Sequence, residues 1–102
     1  MSRRKQLETM LAESPDDIFL RYALAMELEN EEEHERSLEL HRGLMNDTPP
    51  YVPSFFMSGQ QLANLDRIDE ARQTLELGIT HAEDQGDLHA VAEMQSFLDS
   101  LD

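Results

Sequence analysis

Phe55-Phe56-Met57-Ser58-Gly59-Gln60-Gln61-Leu62, continued beyond Asp66 by Ala71 and Leu75, is the stretch on which the fold turns. Bulky apolar side chains alternate with small ones at helical spacing. Gly59 and Ala71 let two antiparallel helices approach closely, and Phe55, Leu62 and Leu75 fill the space around that contact. Ile68 adds to the same contact.

Outward from this hairpin the chain reads as six helices and no strands, an all-α protein. The first runs roughly from Ser2 to Glu13, with Leu7, Met10 and Leu11 on one face. Ser14 reads as an N-cap, Pro15 as a first helical residue and Asp17 as the acid of a capping box. The second helix then covers about Pro15 to Glu29. It is apolar on more than one face, so it must be contacted from two sides. Asn30 reads as the N-cap of a third helix ending near Met45, with Glu33 as its reciprocal acid. Its acidic start favours the positive end of the helix dipole. Asn46-Asp47-Thr48-Pro49-Pro50 is the clearest loop. A fourth helix covers roughly Val52 to Asn64. Asp66 reads as the cap of a fifth, about Arg67 to Ala82, with Asp69 in the capping-box place. After the turn Asp84-Gln85-Gly86-Asp87 a sixth helix runs from Leu88 to Leu101. Such short turns force neighbouring helices to be antiparallel.

The pattern repeats. Pro15 and Pro49 are 34 residues apart, and the two cap-and-acid starts at Asn30 and Asp66 are 36 apart. A 34-residue period with two helices per unit resembles the tetratricopeptide repeat. Phe55, Ser58-Gly59, Leu62, Ala71 and Leu75 match that pattern in one unit. Leu24-Ala25, Leu28, Ser37 and Pro49 match it in the unit before. That earlier unit departs at Arg21, where an aromatic residue is usual, and at His41, where a large apolar one is. Phe19 and Tyr22 are the expected sources of the missing bulk. The later unit lacks its closing proline, with Glu83 near that place. The resemblance implies antiparallel helix hairpins stacked in a superhelix. It divides the chain into a half repeat (2–14), two repeats (15–49 and 50–84) and a capping helix (86–101). The polar side of that last helix, Glu93, Gln95, Ser96 and Asp99, is expected to face solvent.

Composition narrows the class of function. The 102 residues carry 22 acids and 8 Lys or Arg, a net charge of -14, and no cysteine. Disulfides, thiolate metal sites and cysteine nucleophiles are thereby excluded. The charge argues against nucleic acid and anionic membranes as partners, since both need cations to displace counterions. No apolar run approaches a membrane span. The start, Met1-Ser2-Arg3-Arg4-Lys5, leads into Gln6-Leu7-Glu8 and not into an apolar segment, so no secretory signal is expected. A soluble cytoplasmic protein is expected. Lys5 is the single lysine. Such a surface suits molar intracellular salt, where self-repulsion is screened, and it equally suits an ordinary acidic bacterial protein.

No catalytic constellation is legible. His34, His41, His81 and His89 form no i, i+4 pair and no His-Glu-x-x-His, so they read as surface or partly packed residues and not as a metal site. There is no glycine-rich phosphate loop, and Ser37 reads as a small residue at a helix crossing. No enzyme and no cofactor are expected.

The resemblance implies that the front helices line a concave face. Phe19, Tyr22 and Met26 share one side of the second helix. Pro53, Phe56, Gln60, Ala63 and Asn64 take the corresponding places in the fourth, and Asp87, Ala90, Met94 and Phe97 in the sixth. The expected peptide groove is Phe19, Tyr22, Met26, Phe56, Gln60, Asn64 and Met94. Phe19, Tyr22, Met26 and Phe56 would anchor a ligand, and Gln60 and Asn64 would bond its backbone. Aromatic and methionine side chains suit an adaptable groove, and the same side chains would also suit a core. The family's best-known peptide mode clamps a C-terminal carboxylate with Lys, Arg and Asn, and no Lys or Arg stands at these places. The partner expected is therefore a protein or peptide with an apolar anchor and basic flanks. The alternatives are a two-fold homodimer through the same face and a metal-binding bundle. A monomer or weak homodimer is expected.

Overall fold

The computed structural model describes residues 2–102; Met1, the first residue of the basic start, lies outside them. Among the described residues there are six α-helices and no strand: α1 Arg3–Glu13, α2 Ile18–Asn30, α3 His34–Met45, α4 Val52–Asn64, α5 Ile68–Asp84 and α6 Leu88–Ser100. Each helix packs on the next in chain order, and α4 also touches α6 across α5. This places α2, α4 and α6 in one layer and α1, α3 and α5 in the other. The stack measures 41 × 29 × 18 Å.

The caps differ from the sequence expectation. Ser14 closes α1, its N–H donating to Met10 O at 3.1 Å, and Pro15 lies in the turn. Asp17 is the cap of α2, its carboxylate accepting from Leu20 N at 2.9 Å. Asn30 and Asp66 cap nothing: α2 runs through Asn30, and neither α3 nor α5 has a side-chain cap. The chain instead leaves α2, α4 and α5 through one recurring turn. Glu33 N, Arg67 N and Asp87 N donate to Leu28 O, Leu62 O and Ala82 O at 2.8, 2.8 and 2.9 Å. Glu32, Asp66 and Gly86 precede them with φ of 62°, 62° and 73°. These are Schellman motifs, which satisfy the last helical carbonyls through one left-handed residue.

Three apolar clusters make the core. Leu7, Leu20, Leu24 and Leu28 join α1 to α2. Leu38, Leu62 and Ala71 join α3, α4 and α5. Val52, Phe55, Leu75, Ala82 and Met94 join α4, α5 and α6. Gly59 lies against Leu75 as its spacing predicts: a Cβ there would come within 2.6 Å of a Leu75 methyl carbon. Gly78 is as tight, since its Cβ would fall 2.5 Å from Phe55 Cβ and 2.6 Å from Met94 Sδ.

The layer between α3 and α4 is polar. Ser37, His41, Ser54, Ser58 and Gln61 are all buried. Ser37 Oγ donates to Ala25 O at 2.6 Å and accepts from Gln61 Nε2 at 3.1 Å. His41 Nδ1 lies 2.9 Å from Ser54 Oγ. The expectation of a surface or partly packed His41 is thus corrected: the imidazole is fully enclosed, and burial pushes its pKa down to about 4. It occupies the place that Leu75 fills 34 residues later.

Candidate functional site

The front layer carries the face where the sequence places its groove. A cleft of about 270 Å³ opens between the starts of α4 and α6, beside α2. Tyr22, Val52, Pro53, Phe56, Met57 and Ala90 give it an apolar floor. Asp87, His89 and Glu93 stand around it. Two of the floor's rings are held by other rings. The Tyr22 ring meets Tyr51 edge-on at 5.3 Å and His41 at 5.6 Å. Half-burial pushes the Tyr22 pKa up, so it stays a neutral phenol at physiological pH. Phe56 meets Phe97 edge-on at 6.1 Å.

A second, wider cleft of about 660 Å³ lies at the loop edge of the same layer. It shares Val52, Pro53 and Asp87 with the first, so the two adjoin. Pro49, Pro50 and Tyr51 form one wall, and Ile18 with Asp16 the other side. Arg21 is its single cation, and it is spent locally. Its guanidinium donates to both Asp47 oxygens, at 3.2 and 2.6 Å, and to Asp16 O at 3.0 Å. This pairing holds the Asp47 carboxyl below the usual range. Arg21 stands where Phe55 stands in the next unit, so the departure from the repeat pattern is an ion pair to the α3–α4 loop and not a missing contact.

Of the seven residues expected in the groove, the structure brings two together, Tyr22 and Phe56. Met26 and Gln60 are half-buried and Asn64 is exposed, none of them lining this cleft. Phe19 stands 73% exposed at the start of α2, outside both clefts. Met94 is corrected outright: it is 0% exposed, in the core against Gly78. The cause is register. Asp87 caps α6 as Asp17 caps α2. Counted from these caps, Met94 takes the place of Leu24, a core position. Val52, Met57, His89 and Glu93 were missed as lining residues. Met57 adjoins Phe56, but nothing local in the sequence tells it from a core methionine.

A solved tetratricopeptide repeat domain protein from Salinibacter ruber is 33% identical to the chain, over 86% of this chain and 89% of that one, with a TM-score of 0.80. The chain belongs to the tetratricopeptide repeat family. A solved protein from Bordetella parapertussis is 30% identical over 99% of this chain and 88% of that one, with a TM-score of 0.83. No family model and no curated protein sequence matches the chain. The tetratricopeptide repeat fold suggests a protein-interaction module with a protein partner. Among the described residues no helix is long and apolar enough to cross a membrane, and no three His, Cys, Asp or Glu converge as a metal site would require.

Proposed function

We propose that this tetratricopeptide repeat chain is a non-catalytic interaction module that takes a peptide or helix of a partner protein on its front face. The array is divided as 2–14, 15–49, 50–84 and 86–101. The observation that supports the reading is the cleft between α4 and α6. Its floor is apolar, with two of its rings packed edge-on against other rings, and its rim carries Asp87, Glu93 and His89 with no Lys or Arg. An apolar anchor would displace water from the floor, and basic flanks would be drawn to the rim.

The test pairs two variants in a capture experiment from host lysate, with folding checked by circular dichroism. Phe56→Ala removes an aromatic ring from the cleft's floor. Leu77→Ala removes an exposed residue of α5, away from this cleft. A partner held by wild type and Leu77→Ala but lost by Phe56→Ala supports the reading. Equal capture by all three assigns the partner to another surface. A dimer mass by light scattering that reverts to monomer in Phe56→Ala assigns the face to self-association.

A further inference from the structure

The wide cleft at the loop edge differs in chemistry from the cleft on the front face. Its walls are Pro49, Pro50 and Tyr51, and its charges are Asp16, Asp47, Asp87 and Arg21. Arg21 and Asp47 cancel each other in a two-bond ion pair. That leaves Asp16 and Asp87, neither of which forms an ion pair among the described residues, although Asp16 lies near enough to Arg21 to feel its charge. Asp87 spends one oxygen on the α6 cap, accepting from Ala90 N at 3.1 Å.

The starts of α2, α4 and α6 also reach this edge, and a helix start carries a partial positive charge. At α2 and α6 that charge is offset, since Asp17 and Asp87 accept first-turn N–H groups there, while α4 starts with no side-chain cap; the acids of the cleft outweigh that one helix start. The edge is therefore negative on balance, walled by proline and tyrosine, and adjoins the apolar cleft at Val52, Pro53 and Asp87.

We propose that this edge cleft is a subsite for one arginine or lysine side chain of a protein segment whose apolar residue sits in the neighbouring front-face cleft. The inference rests on the front-face reading above and adds the place of the cationic flank. The ligand's methylene stem would lie along Pro49, Pro50 and Tyr51, as long cationic side chains lie on apolar surface with the head free. The head would reach Asp16 and Asp87.

The test uses the full chain, isotopically labelled, and three capped nine-residue peptides with a central phenylalanine. Three positions from it the peptides carry arginine, citrulline (the same shape without charge) or glutamate. Amide shifts of Phe56, Met57 and Ala90 report the front-face cleft; those of Asp16, Asp47 and Tyr51 report the edge. The expected result is that the arginine peptide moves both sets and binds about fivefold more tightly than the citrulline peptide at low salt. The glutamate peptide binds weakest. The advantage of arginine disappears in the double variant Asp16→Asn/Asp87→Asn, whose second change removes the charge and keeps a side-chain oxygen to cap α6. If arginine and citrulline peptides move the front-face amides alike with the edge unmoved, the subsite is overturned and the front-face reading stands. An arginine advantage that survives in the double variant reflects the net charge of -14 alone and also overturns the subsite. If no peptide moves the front-face amides, both are overturned.

Discussion

Glu32 and Asp66, 34 residues apart, hold the same left-handed backbone conformation, each at φ 62° and each in the turn that joins the two helices of a hairpin. The repeat is thus expressed in the backbone at a position where the side chains do not match. A left-handed L-residue costs roughly 1–2 kcal/mol, less for Asp than for Glu. Glycine would remove that cost and return some of it through the greater freedom of the unfolded chain. Glu32→Gly is therefore expected to raise stability by about 0.5–1 kcal/mol, and Asp66→Gly by less. Thermal melts of the two variants check the order; a Glu32→Gly protein that melts earlier than wild type contradicts the argument.

The glycines should behave in opposite ways. Gly43→Ala places its Cβ in open space on α3, so the gain in helix propensity, up to about 1 kcal/mol, should be realised. Gly78→Ala drives a Cβ into Phe55 and Met94, and overpacking of this kind costs about 1–3 kcal/mol. Gly59→Ala should fall between them, because Leu75 can turn its side chain further than Phe55 can move its Cβ. Urea titrations rank the three.

His41 gives stability a pH dependence with a definite sign. Its pKa is about 4 folded, against an ordinary value of 6.5. The unfolded chain therefore binds the proton first as pH falls, and stability is lost between about pH 6.5 and pH 4. The loss from this one group should be about 2 kcal/mol between pH 7 and pH 5. His34 works the other way: its pKa is raised, chiefly by its bond to Glu29, so its contribution is present at low pH and fades as pH rises through the folded value. Comparing wild type with His41→Leu cancels the His34 part. The variant's stability should change less between pH 7 and pH 5 than that of wild type, and parallel profiles would remove His41 as the cause.

Added salt should stabilise the chain. Self-repulsion at a net charge of -14 is screened by potassium chloride, which raises the melting temperature. Salt also weakens ion pairs such as Arg67 with Glu35 and Glu70, but exposed pairs contribute about 0–1 kcal/mol each. A melting temperature unchanged between low salt and molar salt would show that repulsion is not limiting and would remove the case for a salt-rich cell interior.

The six helices and the tetratricopeptide period are legible because apolar spacing and small residues at close crossings leave a strong pattern. The caps at Asn30 and Asp66 misled because short polar side chains suit both a helix start and a left-handed turn, and Glu32 carries no turn signal at all. Of the groove, Tyr22 and Phe56 lie where α2 and α4 share a register. Met94 does not, because α5 spans 17 residues against 12 in α3 and shifts the start of α6 relative to a strict repeat. The pairing of His41 with Ser54 joins positions on two helices, and neither residue alone suggests the other.

The polar layer between α3 and α4 limits how this array can grow. Copying the second hairpin and appending it would set Leu75 where His41 stands, opposite a second Ser54, and Ala71 where Ser37 stands, opposite a second Gln61. The hydroxyl and the amide would each lose a partner, at about 1–3 kcal/mol apiece. The hairpins are therefore not interchangeable building blocks. Duplication of the second would need compensating changes on the receiving face, and the order of the stack is written into its hydrogen bonds.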